Sequence, residues 1–78
     1  MRIRIKLMGA LRNKLPNTQG STELEIESGA TVDSVLEKLD LPAGRVHLVM
    51  VNGEMEHDRA RLLVDGDEMT LFPPVAGG

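Results

Sequence analysis

One segment of the chain has the spacing of an amphipathic helix, and it lies between short stretches that alternate as strands do. Four aliphatic residues recur at i, i+3, i+4 and i+7 and form one apolar stripe: Val32, Val35, Leu36 and Leu39. Thr31 is placed to act as the N-cap, and the helix is predicted over about 32–40, ending before Pro42 because a residue that precedes proline is disfavoured in helical conformation. One apolar stripe needs a sheet to cover it, which favours a two-layer fold.

The remaining apolar residues predict the sheet. Strands are predicted over residues 2–8, 22–27, 46–51 and 68–72, with a short fifth near 54–56. Asn52-Gly53 is a strong hairpin turn because both residues tolerate positive φ, and Asp65-Gly66-Asp67 is read as a second turn. The predicted fold class is α+β, a mixed sheet of four to five strands with one main helix packed across one face.

The helix stripe and one face of each strand predict a single core. Its members are Ile3, Ile5, Leu7, Leu24, Ile26, Val32, Val35, Leu36, Leu39, Val49, Val51, Met69 and Leu71. The third strand is apolar on its other face too, at Val46, Leu48 and Met50, and the last strand places Phe72 on the parity opposite Leu71. A chain this small has little left to bury a second apolar face, so these residues predict a docking surface. The alternative is a central strand buried on both sides.

The chain ends in Pro73-Pro74-Val75-Ala76-Gly77-Gly78. Glycine packs nothing and loses much entropy on ordering, so a Gly-Gly terminus is explained best if the terminus itself is the working part. The two prolines favour an extended base, and the six residues reach at most about 20 Å. We therefore divide the chain into a domain over 1–72 and a delivery tail over 73–78; a frayed end or a cloning remnant is the alternative.

Charge and composition exclude several classes of function. Residues 1–20 carry five bases and no acid, but bases and aliphatics alternate in the first strand and acids and aliphatics in the second, so the charges are expected to pair on one solvent face. With one phenylalanine and no tyrosine or tryptophan, nucleic-acid binding is not expected. No apolar run approaches the roughly 20 residues that span a bilayer, and the N-terminus lacks a signal-peptide core, so a cytoplasmic protein without membrane contact is expected.

The chain offers little of its own for catalysis. It has no cysteine, so any thiol chemistry needs another protein. His47 and His57 lack partners at metal-ligand spacing, and Asp65-Gly66-Asp67-Glu68 lacks the other ligands of a calcium loop, so no metal site is expected. The glycines form no phosphate-binding motif, and no cofactor is expected to bind this chain.

The ending Leu71-Phe72-Pro73-Pro74-Val75-Ala76-Gly77-Gly78, with Asp65-Gly66-Asp67-Glu68 and Val49-Met50-Val51-Asn52-Gly53-Glu54, resembles the MoaD/ThiS family of sulfur carriers. The resemblance covers nearly the whole chain. The Phe-Pro-Pro-Val-x-Gly-Gly ending looks most like the small subunit of molybdopterin synthase, since thiamine-pathway carriers share the Gly-Gly but usually lack the Pro-Pro. Where family members often carry aromatic residues, this chain has Leu7-Met8-Gly9.

The resemblance implies a ubiquitin-like β-grasp fold and a reaction cycle at Gly78, next to Gly77. An adenylating enzyme resembling ubiquitin-activating enzymes would use ATP to activate the Gly78 carboxylate, and a persulfide protein would supply sulfur to form a thiocarboxylate. The large subunit of molybdopterin synthase would then receive the tail, so that this chain is the sulfur-donating small subunit and is not catalytic alone. The expected partner-binding residues are Phe72, Pro73, Pro74, Val75, Ala76, Leu48 and Met50.

Three alternatives stay open at this point. The first is sulfur supply for the thiamine thiazole or for another sulfur-containing metabolite. The second is a protein modifier, with Gly78 joined to lysines by an amide bond. The third is a ubiquitin-like binding module, in which the free Gly-Gly would have no role.

Overall fold

Residues 1–15 and 19–74 are described by a computed structural model, and in that part of the chain five strands and one α-helix form two layers. The strands are β1 (Arg2–Leu7), β2 (Ser21–Glu25), β3 (Leu48–Val51), β4 (Glu54–Met55) and β5 (Glu68–Phe72), and the helix is α1 (Val32–Lys38). Short 3₁₀ turns cover Gly9–Lys14 and Ala43–Arg45. The predicted α+β class is confirmed.

The sheet is mixed, with the order β2-β1-β5-β3-β4. The central strand β5 is parallel to its neighbour β1, and every other neighbouring pair is antiparallel. Parallel strands end at the same edge of a sheet, so the residues that follow β1 and β5 are neighbours there. This arrangement brings Gly9 next to Pro73 at the start of the tail.

Helix α1 begins as predicted and ends earlier than predicted. The Thr31 hydroxyl accepts from the Ser34 N–H at 3.2 Å, and the Ser34 hydroxyl accepts from the Thr31 N–H at 2.7 Å, a reciprocal cap. At the other end Asp40 has φ of 58°, and the Leu41 N–H donates to the Leu36 carbonyl at 2.9 Å. This is a Schellman motif with aspartate in the left-handed position that glycine more often holds. This motif therefore ends the helix at Lys38, so that Pro42, which was predicted to end it, is not the residue that does so.

One hydrophobic core joins the inner face of the sheet to α1, and most of its predicted members are buried. Leu24 and Leu39 are only partly buried at its margin. Five residues enter the core that the strand and helix patterns did not predict: Leu11, Ala30, Leu41, Val46 and Leu63. Leu36 is 3% exposed, which confirms the predicted inner face of the helix.

The prediction for Val46 was wrong. It was assigned to the outward set of the third strand, but β3 begins only at Leu48, and Val46 is buried. The chain before β3 has just left a 3₁₀ turn, so the alternation of a paired strand does not extend to this residue. The guanidinium of Arg59 donates to the Val46 carbonyl at 2.7 Å, which holds the segment in place.

The predicted charge pairing is confirmed where β1 and β2 meet. Arg2 lies opposite Glu25 in the antiparallel register, with a guanidinium-to-carboxylate distance of 3.6 Å. Strand β2 ends at Glu25, two residues before the predicted position 27. The backbone pairing continues for one more residue, since the Ile26 N–H donates to the Met1 carbonyl at 2.7 Å and the Ile26 carbonyl accepts from the Met1 ammonium group at 2.9 Å. Exposed pairs of this kind contribute little to stability, so they chiefly keep the sheet surface solvated.

The Asn52-Gly53 hairpin and the 65–67 turn are confirmed, and they are tied together by a buried carboxylate. Asn52 and Gly53 have φ of 54° and 84°. Asp67 is 4% exposed, and its carboxylate accepts from the Asn52 side-chain amide at 2.8 Å and from the Val64 N–H at 2.8 Å. The Asn52 side-chain oxygen in turn accepts from the Glu68 N–H at 2.9 Å. The Asn52 side chain thus connects the hairpin to Asp67 and to Glu68, the first residue of β5.

Asn52→Asp is expected to destabilise the fold by about 1–3 kcal/mol at neutral pH, because it replaces the donor to Asp67 with a second carboxylate. Urea denaturation would measure the loss. The matched control is Asn52→Gly, which keeps the positive φ and adds no charge. The prediction is contradicted if the aspartate variant is as stable as the glycine variant at neutral pH.

Candidate functional site

The described part of the chain reaches the root of the tail and stops there. Val75, Ala76, Gly77 and Gly78 lie outside the described residues, so their predicted roles stay predictions. The candidate site is therefore built from the last residues of β5, from Pro73 and Pro74, and from the surface around them.

Strand β5 is held on both sides up to Phe72. The Met8 N–H donates to the Leu71 carbonyl at 2.9 Å, and the His47 N–H donates to the Phe72 carbonyl at 2.8 Å. Pro73 and Pro74 have no N–H and cannot donate to a continuing ladder. The hydrogen bonds from Met8 and His47 are thus the last ones along this strand, and they fix the direction in which the chain leaves the sheet.

Gly9 lets the first proline lie close to the end of β1. Its φ is 53°, and a Cβ atom at this position would lie 3.0 Å from Cγ of Pro73. Any larger residue would have to displace the proline ring or change the local backbone. The backbone at Gly9, just after β1, therefore leaves room for Pro73, the first residue of the tail.

An apolar surface lies beside this root on the face of the sheet opposite α1. Phe72 lies directly opposite Leu48 in the register of β5 and β3, and Met50 lies opposite Met55 across the hairpin. Met8 continues β1 beside Phe72, and its 40% exposure, like the 55% of Met55, leaves it open to solvent. We call Met8, Leu48, Met50, Met55 and Phe72 the docking face.

The predicted parity of the last strand is confirmed. Met69 and Leu71 are fully buried, whereas Phe72 is half-buried on the other face. Leu48 and Met50 are also half-buried and lie on the adjacent strand, as predicted. Their role in binding a partner, like that of Phe72, Pro73 and Pro74, stays a prediction.

Sequence reasoning did not include Met8 and Met55 in this surface. Met8 directly follows a strand and has the parity of the outward residues of β1, which is a signal in the sequence. Met55 joins only through its register opposite Met50, which depends on the length of the hairpin. Both additions extend the apolar surface across four strands.

The other part of the outer face is charged. Glu68 lies opposite Arg4, and its carboxylate is 3.9 Å from the Lys6 ammonium group. The outward residues of β5 change from Glu68 through Thr70 to Phe72, and on the β1 side the last charged residue, Lys6, is followed by Met8 after the strand has ended. A partner of the docking face would therefore meet an apolar surface at the tail root and charged residues farther away.

The two histidines lie away from any cluster of ligands. His47 and His57 are both exposed, and among the described residues no group of three or more His, Asp or Glu side chains is placed to hold a metal ion. Near His57, the hydrogen bond from Arg61 at 2.9 Å lowers the pKa of the Glu56 carboxyl, with a further contribution from the Asp58 N–H. Glu56 therefore favours its ionised form and serves the loop structurally.

No described helix is both long enough and apolar enough to cross a membrane.

Comparison with known proteins gives a family and several structural neighbours. The model of the ThiS family matches residues 5–78. The Haloferax volcanii HVO 2177 protein is 32% identical with a TM-score of 0.81, over 100% of this chain and 87% of that one. SAMP1 from Haloferax volcanii is 25% identical with a TM-score of 0.78, over 100% of both chains. None of the curated proteins matches significantly in sequence.

A third neighbour belongs to a complex of two proteins. It is a chain from the complex of subunits 1 and 2 of molybdopterin-converting factor from Helicobacter pylori, 20% identical with a TM-score of 0.64 over 100% of both chains. At that identity the likeness shows the fold. A ubiquitin-like protein from Caldiarchaeum subterraneum, 24% identical with a TM-score of 0.56 over 99% of this chain and 100% of that one, has the same fold, and together with the sheet order it confirms the predicted ubiquitin-like β-grasp.

Proposed function

This chain belongs to the ThiS family, and on that basis we propose that it is a sulfur carrier whose Gly78 carboxylate is converted to a thiocarboxylate. The observation that carries the proposal is the family match over residues 5–78, which includes the C-terminal Gly-Gly. The chain itself provides the electrophile after activation, and its partners provide the catalysis.

The chemistry follows from the terminus. A C-terminal carboxyl group has a pKa of about 3.3–3.7, so it is ionised at neutral pH and is a poor electrophile. An adenylating enzyme joins it to AMP from ATP, and pyrophosphate leaves. The outer sulfur of a persulfide on another protein attacks the mixed anhydride as AMP leaves, which gives an acyl disulfide between the two proteins. A thiol then attacks the donor's sulfur in this disulfide, so that the S–S bond breaks, the thiocarboxylate is released and a disulfide forms between the thiol and the donor. The chain has no cysteine, so no thiol of its own competes for the activated carbon or for the sulfur.

The docking face is proposed to hold the adenylating enzyme while the tail reaches its active site. The tail spans at most about 20 Å from Pro73 to Gly78, so the reacting carbon lies within that distance of the root. A partner that binds the tail in a narrow channel must therefore cover the surface around the root, where Phe72 and Leu48 form an apolar pair. Burying such an anchor is a common source of binding energy at interfaces.

The pathway we propose is molybdopterin synthesis, with this chain as the small subunit of the synthase. The Phe72-Pro73-Pro74 ending supports this choice over the thiamine pathway, whose carriers usually lack the two prolines. The shared fold with a chain of the molybdopterin-converting factor complex is consistent with it. The large subunit would bind the tail, and the thiocarboxylate would give its sulfur to a pterin precursor.

The proposal is tested by incubating the chain with the adenylating enzyme of the same organism, ATP, a persulfide donor and a thiol. Intact-mass spectrometry should show replacement of one terminal oxygen by sulfur, dependent on ATP. Adding the large synthase subunit and the pterin precursor should then restore the unmodified mass. A chain that never gains sulfur contradicts the carrier function, and one that keeps its sulfur with the pterin but loses it to a thiazole synthase contradicts the pathway.

A second candidate function is protein modification, favoured by the likeness to SAMP1, a small archaeal modifier protein. Both functions begin with adenylation of Gly78, so the first step does not separate them. The product does, since a modifier ends in an amide bond to a lysine of another protein. The last trypsin site of the chain is Arg61, so a target lysine would carry residues 62–78 as a branch after digestion. Branched tryptic peptides of this mass, lost when Gly78 is deleted, would support this candidate.

Phe72→Ala is expected to weaken binding of the adenylating enzyme by on the order of 30-fold with little change in Tm, since Phe72 is half-buried and outside the core. Calorimetry or surface plasmon resonance would measure the affinity. Leu62→Ala is the matched control, because Leu62 is an apolar residue that is 63% exposed and lies outside the docking face. A large loss of stability with unchanged affinity in the Phe72 variant would place Phe72 in the core instead.

A further inference from the structure

The docking face is rich in methionine. Three of the five methionines in the chain, Met8, Met50 and Met55, lie on it, whereas Met69 is in the core. The other two members are Leu48 and Phe72, and Phe72 is the only aromatic residue of the chain. Methionine is flexible and polarisable and suits adaptable binding surfaces, but its thioether is also oxidised readily.

Two of these thioethers are open to an oxidant in solution. Met8 is 40% exposed and Met55 is 55% exposed, and they lie on opposite sides of the docking face, on the β1 and β4 sides. Met50 is half-buried between them, and Met69 is 0% exposed. Because the chain has no cysteine, the methionines are its only sulfur-containing side chains.

We propose that Met8 and Met55 are oxidation sites, and that their conversion to sulfoxides weakens binding of the adenylating enzyme to the docking face. This inference rests on the proposed function, since it concerns the regulation of the same surface. The oxidant is a peroxide. The thioether sulfur attacks one oxygen of hydrogen peroxide, and the O–O bond breaks as the S–O bond forms. Sulfur is oxidised by two electrons, and the other oxygen leaves as water after taking the proton of the oxygen that stays on sulfur.

The effect on binding follows from the place of each residue. Met8 lies beside Phe72, and Met55 lies opposite Met50, so each sulfoxide would put a strong acceptor at the edge of the surface that the partner must desolvate. An acceptor buried there without a donor opposes association, and we expect an affinity loss of at least about tenfold. The fold should be unaffected, since both side chains are outside the core.

The first measurement concerns the sites alone. The chain in its carboxylate form is treated with hydrogen peroxide, and peptide mass spectrometry follows the oxygen gained at each methionine. The expected order of rates is Met55 and Met8 first, Met50 later and Met69 last. Oxidation of Met69 as fast as that of Met55 would overturn the assignment, because it would mean that exposure does not select the sites.

The second measurement concerns binding. The oxidised chain is titrated against the adenylating enzyme that thiolates the untreated chain, with Met8→Leu/Met55→Leu as the matched variant, since leucine keeps similar volume and is not oxidised. Wild type should lose affinity after peroxide and regain it after methionine sulfoxide reductase. The double variant has its own starting affinity, since both residues belong to the docking face, and that affinity should not change on peroxide treatment. Unchanged affinity of the oxidised wild type, or an equal loss in the double variant, would overturn the proposal.

The proposed carrier function and the proposed regulation by methionine oxidation are contradicted by different results. If the untreated chain is neither bound nor thiolated by any adenylating enzyme of its organism, the proposed function fails. If the untreated chain is bound and thiolated, and oxidation at both sites leaves the affinity unchanged, only the regulatory inference fails. Circular dichroism before and after peroxide distinguishes loss of the docking face from loss of the fold.

Discussion

Deletion of Gly78 is expected to abolish thiolation while the β-grasp body remains folded. The truncated chain still ends in a carboxylate, at Gly77, but the reacting carbon is withdrawn by about 3.3–3.6 Å from the adenylating centre. Misplacement by about 1 Å already costs on the order of 100-fold when reacting groups must be aligned, so the loss should be practically complete. Every residue of the buried core lies between Ile3 and Leu71, and none is removed.

The measurement is the ATP-dependent gain of sulfur by intact-mass spectrometry, with Tm recorded on the same samples. Gly77→Ala is the control, since it keeps the length and adds one methyl group to a narrow channel, so it should reduce the rate less than the deletion does. Thiolation of the truncated chain at a rate near that of wild type would show that Gly78 is not the reactive residue.

The sheet could be predicted from sequence wherever a strand is paired and one of its faces is buried. In β5 the alternation of Met69 and Leu71 with Phe72 is enforced by the core, because a slip of one residue would turn every side chain to the other face. The hairpin at Asn52 was predictable for a similar local reason, since few residues adopt positive φ readily. The strands and their inward faces therefore follow from the pattern.

Residues outside paired elements carry no such signal. Three core residues lie in loops, where side chains follow neither the two-residue period of a strand nor the 3.6-residue period of a helix: Leu41, Val46 and Leu63. The end of α1 depends on Asp40 taking a left-handed conformation, for which glycine would have been the usual sign. The buried carboxylate of Asp67 looked like an ordinary turn residue until its donors came together across the fold.

The candidate site was predictable in part for the same reasons. Phe72 and Leu48 follow from strand parity, and the structure adds that they are direct partners in the register. Met55 belongs to the docking face because of a register between strands, which is a property of tertiary structure. The reactive glycines were inferred from chemistry and resemblance, and they lie outside the described residues.

The second large effect is expected at Leu36, where substitution by alanine should unfold much of the population on mild heating. Leu36 is 3% exposed in the middle of α1, and it packs in the same core as Val49 and Leu71. Truncating a buried leucine costs about 2–5 kcal/mol, through lost burial and the cavity that remains. At roughly 0.05–0.15 kcal/mol per residue, a domain of this size has a total stability of only about 4–12 kcal/mol.

Urea denaturation of the Leu36→Ala variant should therefore show a much lower midpoint, and Tm should fall by roughly 10 °C or more. Glu37→Ala is the matched control, since Glu37 is the exposed neighbour on the same helix and alanine is a good helix former. Because Leu36 lies on α1, which packs against the face of the sheet opposite the docking face, the fraction that remains folded should still bind the adenylating enzyme with normal affinity. A stable variant with weakened binding would reverse the assignment of the two faces, and with it the separation of core from docking surface on which the site is built.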